Sequence, residues 1–321
     1  MNHPLVSVVI TTKNEEKNIS NCLKSIFEQT YLSCHCEDPE HVEGDVAISK
    51  PLIEIIVVDN NSTDKTKQIV SSFGHSREGR VHPEPVHREG NPVYNHISLY
   101  NHGPERSAQR NFGVKKTKGE YILYLDADMI LSKDVIKNCV SKFENCKLKI
   151  GNSPLVALYI SEIVMGDSFW CKVRRFERSF YDGTVIDCVR FISKKAFDAV
   201  KGFDENMSGP EDWDFDKKIR LIGKIALVKT PIYHNEQNFN LEQYLNKKNY
   251  YIKSFDLYVK KWGKDDADIK KQLGIFYRYF QIFTENGKWK KILTHPVLAF
   301  GMYTLKFFIG LKFITRNRIS S

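Results

Sequence analysis

The 321-residue chain has no apolar run long enough to cross a bilayer. Its uncharged stretch Ile292–Leu305 has 14 residues, short of the roughly 20 that a spanning helix needs. Cysteine is scarce and unpatterned: Cys22, Cys34, Cys36, Cys139, Cys146, Cys171 and Cys188 make an odd, scattered set. That excludes a disulfide framework and predicts reduced, mostly buried thiols. Cys34, His35, Cys36 and His41 fit no common zinc spacing and read as a loop. No leader peptide is expected, because the first apolar run, Leu5–Ile10, is short and soon meets Lys13, Glu15 and Glu16. The loop after that run, Thr11 to Asn18, contains no glycine, which argues against the Gly-rich phosphate loop of a nucleotidyltransferase. Acid is missing from the tail. Residues 288–321 hold Lys288, Lys290, Lys291, Lys306, Lys312, Arg316 and Arg318, and no Asp or Glu. The tail thus carries +7 of the net +9, and the nearly neutral remainder is no nucleic-acid-binding body.

What is present is a globular composition, 41% hydrophobic and 27% charged, enough for a large core and too apolar for disorder. The first half alternates strand and helix patterns. Leu5–Thr12, Ile53–Asp59 and Tyr121–Asp126 are β-branched or apolar runs suited to strands buried on both faces. Helical spacing follows at 19–29, 64–73, 107–116 and 134–143. This order predicts an α/β fold with a mainly parallel, doubly wound sheet and its chemistry at the carboxyl ends of the strands. Strands are further expected at 97–100, 156–164, 185–191 and 225–228. Two polar stretches, 33–50 and the His-rich 75–95, read as insertions. A domain over 1–240 would precede a helical extension over 241–321, with helices at 241–262 and 265–283. In the second, Ile269, Leu273, Phe276, Phe280 and Phe283 form one stripe. Its basic, apolar segment 288–318 reads as an interfacial anchor on an anionic membrane surface, lysines among the headgroups.

Asp126-Ala127-Asp128 stands where a strand ends. Carboxylates at i and i+2 point the same way, so both can converge on a divalent cation, Mg²⁺ or Mn²⁺. Asp59 closes another strand, where a carboxylate suits a base N–H. Arg106 and Arg110 open a helix and suit diphosphate oxygens. Glu211 and Asp212 begin a later helix, where the dipole favours negative charge and a carboxylate can serve as general base. Arg174 and Arg178 share a helical face and could clamp an acceptor phosphate.

In this order the segments VSVVITTKNEE, VVDNNSTDKT, RSAQRNFGVKKTKGEYILYLDADM and GFDENMSGPEDWDFDKKIRLIG resemble glycosyltransferase family 2 enzymes of the GT-A fold, over about Pro4 to Asn235. The resemblance implies that Thr11, Asn14 or Glu15, and Asp59 hold the nucleoside. It implies that Asp126 sits by ribose and metal, Asp128 ligates the metal, and His234 is a further ligand. Asp212 would be the base, with Glu211 and Trp213 on the acceptor side. Lys13 stands where some members place an aromatic residue, and Asp59-Asn60-Asn61 where Asp-Asp-Gly is usual. The implied activity is inverting, metal-dependent transfer from a nucleoside-diphosphate sugar, UDP-linked by expectation, to a lipid-linked glycan acceptor. The expected location is the cytoplasmic face of a membrane. A polyprenyl-phosphate sugar synthase, whose anionic acceptor needs no base, and a non-catalytic nucleotide-sugar-binding or scaffolding protein are the rival readings.

Overall fold

A computed structural model describes residues 3–35, 52–74, 96–147, 153–237, 239–251 and 254–317. Residues 36–51 and 75–95, which hold most of the two expected insertions, lie outside the described residues. Strands β1 (Val6–Thr12), β2 (Ile53–Asp59), β3 (His96–Asn101) and β4 (Tyr121–Asp126) form a parallel set in the order β3-β2-β1-β4. Every residue of β1 and β2 is buried, as runs covered by helices on both faces require. Helix α1 (Ile19–Phe27) buries Ile19, Cys22, Leu23 and Ile26 at i, i+3, i+4 and i+7. With α2 (Thr66–Gly74) and, farther along, α4 (Val135–Lys147), it closes one core on this sheet. Helix α3 (Arg106–Lys115) covers the other face, where Gly113 lets the helix approach Val9 and Val58 closely.

The sheet continues with β5 (Met129–Leu131), β6 (Leu155–Met165), β7 (Val189–Ser193) and β8 (Lys224–Asn235), giving the order β3-β2-β1-β4-β7-β6-β8-β5. β7 runs antiparallel to β4 and β6, β6 is parallel to β8, and β5 is antiparallel to β8. The second half is therefore mixed, while four of the seven strand pairs are parallel, in keeping with the mainly parallel sheet expected. Helices α5 (Phe169–Arg178), α6 (Lys194–Ala199) and α7 (Glu211–Ile222) complete this part.

The helical extension is more broken than its periodicity predicts. In place of two long helices stand α8 (Leu241–Tyr251), α9 (Phe255–Trp262), α10 (Ala267–Leu273), a π-helical turn over Tyr277–Gln281 and α11 (Ile282–Thr284). Gly263, at φ +89°, ends α9, and Gly274 ends α10. The expected stripe breaks there: Ile269 and Phe283 are buried, whereas Phe276 and Phe280 face solvent. After α12 (Trp289–Thr294), Pro296 opens the 22-residue α13 (Pro296–Asn317), at a first-turn position that tolerates proline. One face of α13 packs Ala299 and Met302 against Val173, Phe176 and Phe180, with Phe283 in the same cluster. The free cysteines Cys22, Cys139 and Cys171 are buried, as expected of reduced thiols.

Candidate active site

The carboxyl ends of β1, β2 and β4 meet the polar face of α3. This helix buries Gln109, Arg110 and Asn111, residue types that need partners when removed from water. Gln109 Nε2 donates to the carbonyls of Thr12 at 3.1 Å and Val58 at 2.7 Å, joining the ends of β1 and β2. Asn111 exchanges two hydrogen bonds with the Phe203 backbone, at 2.9 and 2.8 Å. Gly202 precedes Phe203 at φ +66°, where a side chain would collide with Asn111. These contacts aim Arg106 and Arg110 across the sheet.

Arg110 is fully buried and bridges two acids. Its Nη1 lies 2.7 Å from Asp212 and its Nη2 3.1 Å from Asp126. Thr11 Oγ1 donates to the same Asp126 oxygen at 3.1 Å. Arg106 lies 2.9 Å from Glu211 and 3.9 Å from Asp126, and Arg190 approaches Asp126 at 3.8 Å. Burial alone would raise the Asp126 carboxyl, but the three guanidiniums, Arg110 foremost, outweigh it and hold the group well below the usual range. Glu211 is raised, first by burial and then by the Asp212 charge, against Arg106 and Arg110. Its carboxylate accepts from Arg106 and from the Gly209 amide, so it braces the loop at the head of α7. Asp212 remains partly exposed, 20% of its side chain reaching solvent.

Asp128 points elsewhere. β5 and β8 pair so that Met129 opposes His234, which brings His234 Nε2 to 3.0 Å from Asp128 Oδ2. Burial lowers the His234 imidazole, but the hydrogen bond and charge of Asp128 prevail and raise it. The Asp128 Oδ1 atom is buried with no hydrogen-bond partner among the described residues. An orphaned carboxylate oxygen beside an imidazole fits a hard divalent cation. Among the described residues no three His, Cys, Asp or Glu side chains converge on one point. Asp126, expected to share the cation, is turned to the arginines instead, because their charges satisfy it first.

The residues expected to hold the nucleoside form a brace. Both oxygens of the buried Asp59 accept from Ser62, Oδ2 from its amide at 2.8 Å and Oδ1 from its hydroxyl at 2.5 Å. Asn14, at φ +56°, donates its amide to Ser62 and accepts from Thr63 at 2.9 Å. The Glu15 amide donates to Thr66 Oγ1 at 2.7 Å. The loops after β1 and β2 are thereby locked together.

Three acceptor-side expectations need correction. Arg174 is engaged by Glu177 at 2.7 Å and Glu236 at 3.2 Å, and Arg178 by Glu162 at 3.2 Å and Asp187 at 2.7 Å. Both guanidiniums are spent on internal acids, so they offer no phosphate clamp. Trp213, one step round α7 from Asp212, stacks on Phe255 and donates to the Ile186 carbonyl at 3.2 Å, packing the extension rather than facing the site. The residues missed are Arg190 and Glu162, paired at 2.9 Å. The signal was a single charge inside each of two otherwise apolar strands, VRFIS and LVALYISEIVM.

The poly(ribitol-phosphate) beta-N-acetylglucosaminyltransferase TarS of Staphylococcus aureus is 26% identical over 135 residues, 42% of this chain and 18% of its own length. The glycosyltransferase GlyG of Streptococcus pneumoniae is 29% identical over 238 residues, 74% of this chain and 60% of that protein. The chain thus spans less than two thirds of these relatives. Among solved structures, a Pyrobaculum calidifontis mannosyltransferase in complex with GDP-Man and Mn²⁺ superposes with TM-score 0.56 at 16% identity, covering 95% of this chain and 80% of that one. The S. aureus TarS fragment 1–349 in complex with UDP-GlcNAc gives TM-score 0.51 at 18% identity over 89% and 78%. At such identities the likeness establishes the GT-A fold alone. The model for glycosyl transferase family 2 matches residues 7–200, more than half of the chain, and with the ordered site described above this makes the protein a glycosyltransferase belonging to that family.

Proposed function

We propose that the chain moves a sugar from a UDP-sugar to a hydroxyl of a polyol-phosphate or glycan acceptor carried on a lipid, with inversion at the anomeric carbon. The observation that carries this reading is Asp212, partly open to solvent and fixed by Arg110, which also grips Asp126. In the transfer, the acceptor oxygen attacks the anomeric carbon from the face opposite the diphosphate. Asp212 takes the hydroxyl proton as the new C–O bond forms, and the old bond breaks with its electron pair leaving on UDP. Arg110 keeps the Asp212 carboxylate oriented through this step. Asp128 and His234 would hold a divalent cation, which when bound supplies positive charge to the leaving diphosphate. Relatives named for transferring N-acetylglucosamine or glucose to poly(ribitol-phosphate) support a phosphate-bearing polymer as acceptor.

A membrane surface is part of the same reading. No helix among the described residues is long and apolar enough to cross a bilayer. Yet α13 presents Val297, Phe300, Phe307, Phe308 and Leu311 to solvent at helical spacing, Phe300 with 75% of its surface exposed. Trp289 and Leu293 of α12 are exposed as well, and so is Lys290 beside Trp289. Such a stripe in an acid-free basic segment suits an anionic bilayer, each near-surface cation contributing about 1 kcal/mol. The lysine arrangement differs from the sequence expectation. Lys306 is buried against Glu177 at 3.0 Å, because it lies on the protein-facing side of α13, and it cannot meet headgroups.

The test is transfer itself. The purified chain is supplied with Mn²⁺, UDP-GlcNAc or UDP-glucose, and poly(ribitol phosphate), free or lipid-linked, and product and UDP are measured. Asp212→Asn is expected to lower turnover by on the order of 10²- to 10⁴-fold while UDP binding persists. Turnover at the parental rate would remove Asp212 as the base.

A further inference from the structure

Arg190 is the second residue of β7 and is 5% exposed, with aromatic and ionic neighbours around it. Its Nε donates to Glu162 Oε1 at 2.9 Å, and its guanidinium lies 5.8 Å from the centre of the Tyr124 ring. Its Nη1 is buried with no hydrogen-bond partner among the described residues. That nitrogen is directed at Asp126 Oδ2 but stops 3.8 Å away, and Arg106 Nη1 stops 3.9 Å from the same oxygen. Both separations are too long for hydrogen bonds. Leaving a charged N–H unmade in a buried site is costly, and two further hydrogen bonds would relieve it if one oxygen stood between donor and acceptor.

The chemistry of that oxygen follows from what flanks it. Arg190 Nη1 can only donate, and Asp126 Oδ2, on an ionised carboxylate, can only accept. An oxygen that bridges them must accept from one and donate to the other, which is the property of a hydroxyl. A diphosphate oxygen accepts only and would be repelled by Asp126. Asp126 also takes Arg110 Nη2 at 3.1 Å, and Arg110 Nη1 lies 2.7 Å from Asp212, so one guanidinium links the Asp126 carboxylate to the proposed base.

We propose that Arg190 is a donor-sugar contact, its Nη1 donating to a hydroxyl of the transferred sugar while that hydroxyl donates to Asp126 Oδ2. This rests on the UDP-sugar reading above and adds the residue that distinguishes the sugar from the nucleotide. Arg190 acts on the sugar ring and leaves the UDP portion alone.

The experiment measures binding of UDP, UDP-GlcNAc and UDP-glucose, with Mn²⁺, to the full chain by calorimetry. Arg190→Met is expected to weaken the sugar nucleotides by roughly 10- to 100-fold, the loss of a charge-assisted bond, and to leave UDP within about two-fold. Arg190→Lys keeps the charge facing Glu162 and should show the same split at smaller size. If the single Met variant is unstable, Arg190→Met with Glu162→Gln removes both buried charges together and should preserve the split. A parallel loss of UDP and UDP-sugar would make Arg190 a diphosphate or structural residue and overturn the proposal, as would unchanged binding of all three. Failure of the unmodified chain to bind any of these nucleotides would instead sink the donor assignment itself.

Discussion

Asp128 and Asp126 are two residues apart, yet their surroundings assign them different work. Among the described residues, three guanidiniums surround Asp126, while Asp128 has one imidazole and one buried, unsatisfied oxygen. Asp128→Ala is therefore expected to abolish the Mn²⁺ dependence of UDP binding. His234→Ala should weaken Mn²⁺ by about 10- to 100-fold, the usual scale for a residue that completes or orients a metal shell. Titration of Mn²⁺ in the presence of UDP, followed calorimetrically, measures both. An unchanged curve in the His234 variant would leave that histidine with the role of joining β8 to β5. The Asp-x-Asp spacing was readable in the chain, but the division of labour was not. It depends on Arg190 and on strand pairing of His234 with Met129, both remote in sequence.

At the level of elements, legibility follows locality. β1, β2 and β4 are continuous apolar runs, and α1 and α4 carry clean helical stripes, so each declares itself within about ten residues. The short β5 exists only because β8 pairs with it, and nothing in Met129–Leu131 signals that partner. The extension departs from its periodicity for a physical reason: Gly274 interrupts the helix expected over 265–283, which periodicity alone would continue, whereas Gly263 falls where the first expected helix ends. α13 is the opposite case, a long helix with two apolar sides. Its inner side builds a core with α5, and its outer side is the exposed stripe. Phe300→Glu together with Phe307→Glu should abolish co-sedimentation with anionic liposomes and leave the melting temperature and UDP binding close to those of the parent. A parent protein that stays in the supernatant at low salt would refute the membrane assignment. Deleting α13 outright is a different experiment, expected to unfold the α5 region because Met302 and Leu305 are core residues.

Across the molecule, buried ion pairs tie the sheet to the extension. Lys306 Nζ lies 3.0 Å from Glu177, which also takes Arg174, and Arg174 in turn reaches Glu236 just past His234. Burial would raise the Glu177 carboxyl, but Lys306 and Arg174 overcome it and hold the group well below its ordinary value of 4.5. Glu162 is held down likewise, against burial, by Arg178 and Arg190. A depressed carboxyl contributes stability that is fully present above its unfolded value and is lost as pH falls toward the folded one. Thermal stability should therefore decline steadily below about pH 4.5. Lys306→Met should cost about 1–3 kcal/mol near neutrality, since it removes one of the two cations that neutralise the buried Glu177 and leaves Arg174 alone to do so. The deficit should shrink on acidification, when the parent loses the same pair. Melting curves from pH 7 to 3 check this, and a deficit independent of pH would show that Lys306 acts through packing alone.

From β6 to α7 the charges run Glu162, Arg190, Asp126, Arg110, Asp212, alternating in sign with each shared by its neighbours. Such a row behaves like a sentence with grammatical agreement, in which no word changes number alone. Losing an interior member leaves two like charges facing each other, so inherited change here should come in compensating pairs, and a lone neutral substitution inside the row should be rare in any lineage that keeps the activity. Such pairs would link positions on strands and helices far apart in the chain, and they would trace the site in a set of related sequences before any ligand had been seen.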